Sequence, residues 1–228
     1  MIILKFDDMM YPFTPEWQRV YELLKKFKIK ACFGAVSDWC YEFIDLDYDL
    51  IEIWYHGKTH LFIEETGISE FCGPSHKDQQ SNFSQGLMKL NNLCAERITT
   101  FGPATNRWDT NAISVVNASD QIETVCFCSL KDKIEKTRFT LEEHLNELWL
   151  PRNIVNNKKV GANELIDPLF YNRLDRMQLN IIPFHPGVGP WSEKSFINFE
   201  YFLGFIKHIK VGNFRDVKNI KQYKKLYI

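Results

Sequence analysis

Two adjacent aspartates, Asp7 and Asp8, close an apolar run near the start of the chain. Two histidines frame His56-Gly57-Lys58-Thr59-His60, and a third, His185, ends the run Ile182-Pro183-Phe184. Neighbouring carboxylates after an apolar strand are costly to bury unless a cation lies between or beside them. Imidazoles at i and i+4 meet on one face of a helical turn, a spacing that suits joint ligation of one ion. Asp8, His56 and His60 therefore form a candidate metal site with positions left open for water and substrate, and Asp7 stands beside it as a candidate general base. One divalent metal ion is expected, zinc first, although the same ligands accept cobalt, nickel or iron. Coordination lowers the pKa of water from about 16 towards roughly 7, so hydrolysis at neutral pH is the chemistry this grouping suits. His185 fits the complementary general acid, because imidazole titrates near neutrality and can protonate a leaving amine.

Each part has an ordinary alternative. Histidines at i, i+4 are common on solvated helices, an Asp-Asp pair can cap a helix, and His185 can be a hydrogen-bonded loop residue. What weighs against these readings is register. Asp7 and Asp8 follow a strand expected over 1–6, and His56 follows one over 50–55. Asn106 lies just past 98–101, Arg152 follows 148–150, and His185 follows 179–184. In a parallel βα barrel all those positions fall at the C-terminal face, where active sites are built. His76, His144 and His208 have no such placement and are expected at the surface.

The elements that must hold these residues alternate between strand and helix. Further strands are expected over 29–36 and 122–128. Thr14 and Pro15 start a helix, and helical spacing continues over 77–94, 113–116, 141–145 and 196–209. The tail beyond Val211 is basic and suits a final strand or arm. Such alternation argues for parallel βα units with right-handed crossovers. The expectation is an α/β fold, a distorted (β/α) barrel of about seven parallel strands, TIM-like, in one domain over 1–228.

Composition narrows the partners. The chain has 228 residues and a formal charge of −1, which gives no phosphate-neutralising surface and so no reason to expect nucleic acid. No run approaches the ~20 apolar residues of a membrane span. The start of the chain carries neither a basic region nor a cleavage site, so a cytoplasmic protein is expected. The six cysteines (Cys32, Cys40, Cys72, Cys94, Cys126 and Cys128) make no metal-finger pattern and read as small buried residues in a reducing compartment. Among 18 Phe, 9 Tyr and 6 Trp, most should be core, with some free to stack on a sugar.

In order and spacing, Phe6-Asp7-Asp8, His56-x-x-x-His60, Phe101-Gly102-Pro103-Ala104-Thr105-Asn106 and Phe184-His185-Pro186 resemble the motifs of NodB-type polysaccharide deacetylases, carbohydrate esterase family four. The resemblance runs from about Ile2 to Phe205, and Trp191-Ser192-Glu193-Lys194 resembles the start of the family's last helix. It implies the NodB-homology barrel and metal-dependent removal of an N-acetyl, less often O-acetyl, group from a sugar. Asp7 is then the catalytic base, His185 the catalytic acid, and Asp8, His56 and His60 the metal ligands. Asn106, Trp149, Arg152 and Trp191 are the candidate substrate contacts. One position departs from the pattern. Gly102 stands where many members carry an arginine that orients the base, and Asn106 or Arg152 is the expected replacement.

Three other readings remain. A His-His-carboxylate set also serves non-haem iron oxygenases, but those use an all-β barrel. A sugar-binding or regulatory protein on the same scaffold, with catalysis lost, would accommodate Gly102. An amidohydrolase acting on a non-sugar amide would keep the chemistry and change the substrate.

Overall fold

The computed structural model describes residues 1–126, 139–140, 145–147, 179–186 and 191–217. Strand β1 (Ile2–Tyr11) continues past Phe6, where the apolar run suggested an end, and carries both aspartates within it. Its pairing slips between Phe6 and Met9, and Asp8 takes a left-handed backbone at φ 65°. Irregularities of this kind bend a strand and re-aim its side chains. Helix α1 (Pro15–Phe27) starts as expected, with Thr14 accepting from the Trp17 N–H, and buries Trp17, Val20, Tyr21 and Leu24.

Strands β2 (Ala31–Cys40) and β3 (Ile51–Tyr55) follow. Beyond them a small antiparallel hairpin, β4 (Phe62–Ile63) with β5 (Ile68–Ser69), stands apart from the main sheet. Helix α2 (His76–Leu93) is capped by Ser75. Next come β6 (Thr100–Phe101), a 3-10 turn (Ala104–Asn106), α3 (Thr110–Asn117) capped by Asp109, and β7 (Thr124–Val125). The remaining described elements are β8 (Phe139–Thr140), β9 (Leu145–Glu147), β10 (Leu179–Phe184), α4 (Glu193–Ile206), β11 (Val211–Gly212) and α5 (Phe214–Val217).

The described strands of the main sheet run β8-β7-β6-β3-β2-β1-β10-β9, with β11 also on β1. Every pairing among them is parallel. The sheet curls as a distorted (β/α) barrel, the expected class. One expected helix is replaced by a strand. Leu145 belongs to β9, paired with Leu179 of β10, and not to a helix over 141–145. Sheet pairing overrides the i, i+4 leucine spacing that suggested helix. Residues 141–144 and 148–150 lie outside the described residues.

Alternation along the strands divides the interior in two. Ile2, Leu4, Phe6, Phe33 and Phe184 pack with Trp17 and Phe199 between sheet and helices, and Phe6 stacks on Phe184 at 4.8 Å. The opposite face gathers Ile3, Cys32, Trp54, Cys126, Ile181 and Phe214 inside the barrel. Lys5 and Asp7 continue the inner row of Ile3 on β1, while Glu52 on β3 and His56 just past its end flank Trp54. Cys32, Cys40, Cys94 and Cys126 are buried as expected, Cys72 is half-buried, and Cys128 lies outside the described residues. His76 and His208 are exposed. His144 is outside the described residues.

Candidate metal centre

Strand β3 ends at Tyr55, so His56 is the first residue beyond its tip. Gly57, Lys58 and Thr59 do not continue into a helix. The histidines are brought together by a tight loop, which corrects the helical-turn expectation. Gly57 sits at φ +106° and His60 at φ +59°. A Cβ at Gly57 would come within 2.9 Å of the Glu70 carboxylate, so both conformation and space require glycine there. Buried Glu70 organises the loop, accepting from the backbone N–H groups of Lys58, Thr59 and His60 at 2.8, 3.0 and 3.2 Å. Trp39, late in β2, stacks on the His60 ring at 5.4 Å.

The ligand atoms of Asp8, His56 and His60 all lie within 4.8 Å of one another, the group capable of holding a metal among the described residues. Asp8 Oδ1 is 2.9 Å from His60 Nε2 and 3.4 Å from His56 Nε2. Despite these distances it lacks an aligned hydrogen-bond donor among the described residues. Three ligand atoms this close together suit a common point between them. His56 is also oriented for this. Its Nδ1 lies 2.9 Å from the Gly102 carbonyl, which can only accept, so Nδ1 carries the proton and Nε2 offers its lone pair. The residues present fit a divalent ion with nitrogen and oxygen ligands.

Electrostatics support the same grouping. Burial alone would raise the Asp8 carboxyl, but the two imidazoles hold it well below the usual carboxylate range. Asp8 in turn raises the pKa of His60, against the opposing effect of burial.

Asp7 points to the other side. Its Oδ2 pairs with Lys5 Nζ at 2.5 Å and lies 3.4 Å from His185 Nε2, while Oδ1 is buried with no hydrogen-bond partner among the described residues. Burial works to raise this carboxyl too, and the Lys5 ammonium, with His185 and His56 behind it, holds it well below the ordinary range. His185 caps β10 where Phe184 pairs with Phe6. Parallel register therefore places it beside Asp7.

Of the nine candidate residues, Asp7, Asp8, His56, His60 and His185 come together. Trp191 packs on Phe184, Phe196 and Phe199, against the neighbour of His185 but partly in the core. Asn106 ends the 3-10 turn in a left-handed backbone at φ 54°. Trp149 and Arg152 lie outside the described residues. Sequence reasoning missed Lys5, Glu70, Trp39 and the Gly102 carbonyl. Alternation could have found Lys5, which shares the inner row with Asp7; no local signal marks the other three.

Solved structures share this fold at low sequence identity. A family 4 acetyl xylan esterase from Clostridium thermocellum, solved with a cobalt ion, matches with a TM-score of 0.65 and 14% identity, over 97% of this chain and 92% of that one. The peptidoglycan deacetylase PdaC from Bacillus subtilis matches at 0.60 and 13% identity, over 98% and 92%. A CE4 family pseudoenzyme from Bacillus anthracis matches at 0.56 and 13% identity, over 95% and 64%. No family model matches the chain, and no curated protein sequence matches it.

Proposed function

We propose, from a fold shared with carbohydrate esterase family 4, that this chain is a metal-dependent hydrolase that removes an acetyl group from a sugar. The observation that carries the reading is the adjacency of two assemblies. Asp8, His56 and His60 converge for an ion, and Asp7 stands next to them facing His185. A divalent ion held there, zinc first, supplies Lewis acidity for acyl hydrolysis at neutral pH.

The chain's own residues do the proton work. Asp7, held ionised beside the Lys5 ammonium, accepts a proton from the attacking water through Oδ1, which has no hydrogen-bond partner among the described residues. His185 donates to the departing amine. The Gly102 carbonyl and Glu70 fix the two histidines before substrate arrives, which limits reorganisation during reaction.

An N-acetyl group is the first proposal for the bond, on an intracellular intermediate of surface-polysaccharide biosynthesis. The sugar is supported by the fold and the compartment by the buried free thiols. No described helix is long and apolar enough to cross a membrane. The test is acetate release by zinc-loaded protein from a panel of N- and O-acetylated oligosaccharides and sugar nucleotides. Release that stops on chelation and returns with zinc supports the proposal. Gly102 and the pseudoenzyme on the same fold favour a second reading, sugar binding without catalysis. Saturable binding with no acetate released across the panel would select it.

A further inference from the structure

We propose that Lys5 is the positioning residue for Asp7, supplying from β1 the cation that the motif resemblance puts at position 102. The proposal rests on the deacetylase reading in taking Asp7 as the base. Lysine is almost never fully buried without a partner, and Lys5 is 2% exposed. It shares the inner row of β1 with Asp7, and its Nζ reaches Asp7 Oδ2 at 2.5 Å. The same ammonium lies 4.9 Å from the centroid of the Trp54 ring, a distance at which the ring face attracts a cation.

Trp54 explains why the cation comes from β1. The indole lies flat against Gly34, where a Cβ would come within 2.3 Å of its ring. It also borders Gly102, where a Cβ would stand 2.8 Å from Cys126 Cβ and 3.2 Å from the indole. Any side chain at 102 meets Cys126 and Trp54 at its first carbon. The glycine at 102, the tryptophan over it and the lysine beside the tryptophan are one coupled arrangement. Neither Asn106 nor Arg152 is then needed to replace the arginine.

The geometry also says what the lysine does. It grips Oδ2, the oxygen nearer His185, and leaves Oδ1 buried and without a hydrogen-bond partner among the described residues. A carboxylate pinned by one oxygen presents the other in a fixed direction. Stability is a weak reason for such a pair, since burying two charges costs about as much as their attraction returns.

The test is a double-mutant cycle on zinc-loaded protein, reading kcat and KM separately for wild type, Lys5→Met, Asp7→Asn and the double variant. Lys5→Met is expected to lower kcat about 100-fold with KM within about threefold and zinc stoichiometry unchanged. The double variant should then be no slower than Asp7→Asn alone, because the lysine acts only through the aspartate. A kcat within about threefold of wild type in Lys5→Met, or losses that multiply in the double variant, would overturn the assignment. Should Lys5→Met not fold, Lys5→Gln is read in its place. It keeps a donor without the charge and should lose about tenfold in kcat; unchanged kcat counts against the proposal. If wild-type protein releases no acetate, the deacetylase reading fails separately. Crystal structures of wild type and the lysine variant then decide: a carboxylate turned away from its wild-type position supports the role, and one left in place contradicts it.

Discussion

Buried carboxylates occupy both ends of the barrel interior, and they are treated in opposite ways. Near the start of β3, Glu52 has both oxygens engaged: Oε1 accepts from Thr100 Oγ1 at 3.1 Å, and Oε2 from the Arg215 backbone N–H at 2.7 Å. Arg215 also reaches Glu96 and the Tyr48 carbonyl, tying α5 across the base of the sheet. At the other end Asp7 and Asp8 each keep an Oδ1 with no hydrogen-bond partner among the described residues, and Asp8 does so in a left-handed backbone. Buried polar atoms are nearly always satisfied in proteins. Glu52, with both oxygens engaged, suits a structural role, whereas the two Oδ1 atoms left without a partner among the described residues suit a bound ion or substrate.

Variants can separate those roles, and the largest effect should come from the ligands. Asp8→Asn and His60→Ala are expected to lower kcat/KM on the order of a thousandfold and to reduce zinc uptake measured by metal analysis. Zinc uptake and activity like those of wild type would erase the distinction between the two ends. Glu70→Gln should have a smaller effect. It weakens the carboxylate that gathers three loop N–H groups, and zinc affinity should fall about 10- to 100-fold by competition with a chelator. Affinity equal to wild type would show that the loop holds its shape without that charge.

Glu52→Gln probes the opposite end. Chemical denaturation should show a loss of about 2 kcal/mol, while kcat stays within about threefold. A large loss of activity with no loss of stability would reverse the comparison. The smallest expected effect is on pH dependence. The folded pKa values of Asp7 and Asp8 lie below their unfolded values, so the unfolded chain binds more protons in that window. Their contribution is complete above about pH 4 and is lost as pH falls further. His60 acts with the opposite sign: its raised pKa contributes stability that is complete below about pH 6.5 and fades as pH rises through the folded value. Melting curves of metal-free protein should therefore drop in temperature below about pH 4, and less steeply in Asp8→Asn. Parallel curves would count against the pairing.

Much of the end that gathers Asp7, Asp8, His56, His60 and His185 is legible in the sequence. Apolar runs ending in His56 and His185 mark strand tips, the run before Asp7-Asp8 marks where β1 turns irregular without ending, and parallel pairing brings these positions together. Spacing alone misleads twice. The histidines four apart are joined by a loop that Gly57 and Glu70 shape, and Leu145 pairs in β9 although its spacing from Leu141 suggests helix. Lys5 reads as one polar residue in an apolar strand. Its burial depends on Trp54, which in turn depends on Gly34 and Gly102, residues brought together only by the strand order β6-β3-β2-β1. Contacts between distant segments leave no periodicity to read.

An ion held between Asp8, His56 and His60 is tested most directly by titrating zinc into chelator-treated protein. Wild-type protein should take up one zinc per chain, with X-ray absorption showing two imidazole ligands, and His56→Ala should lose that uptake. Equal uptake by wild type and His56→Ala, or none by wild type, would contradict it.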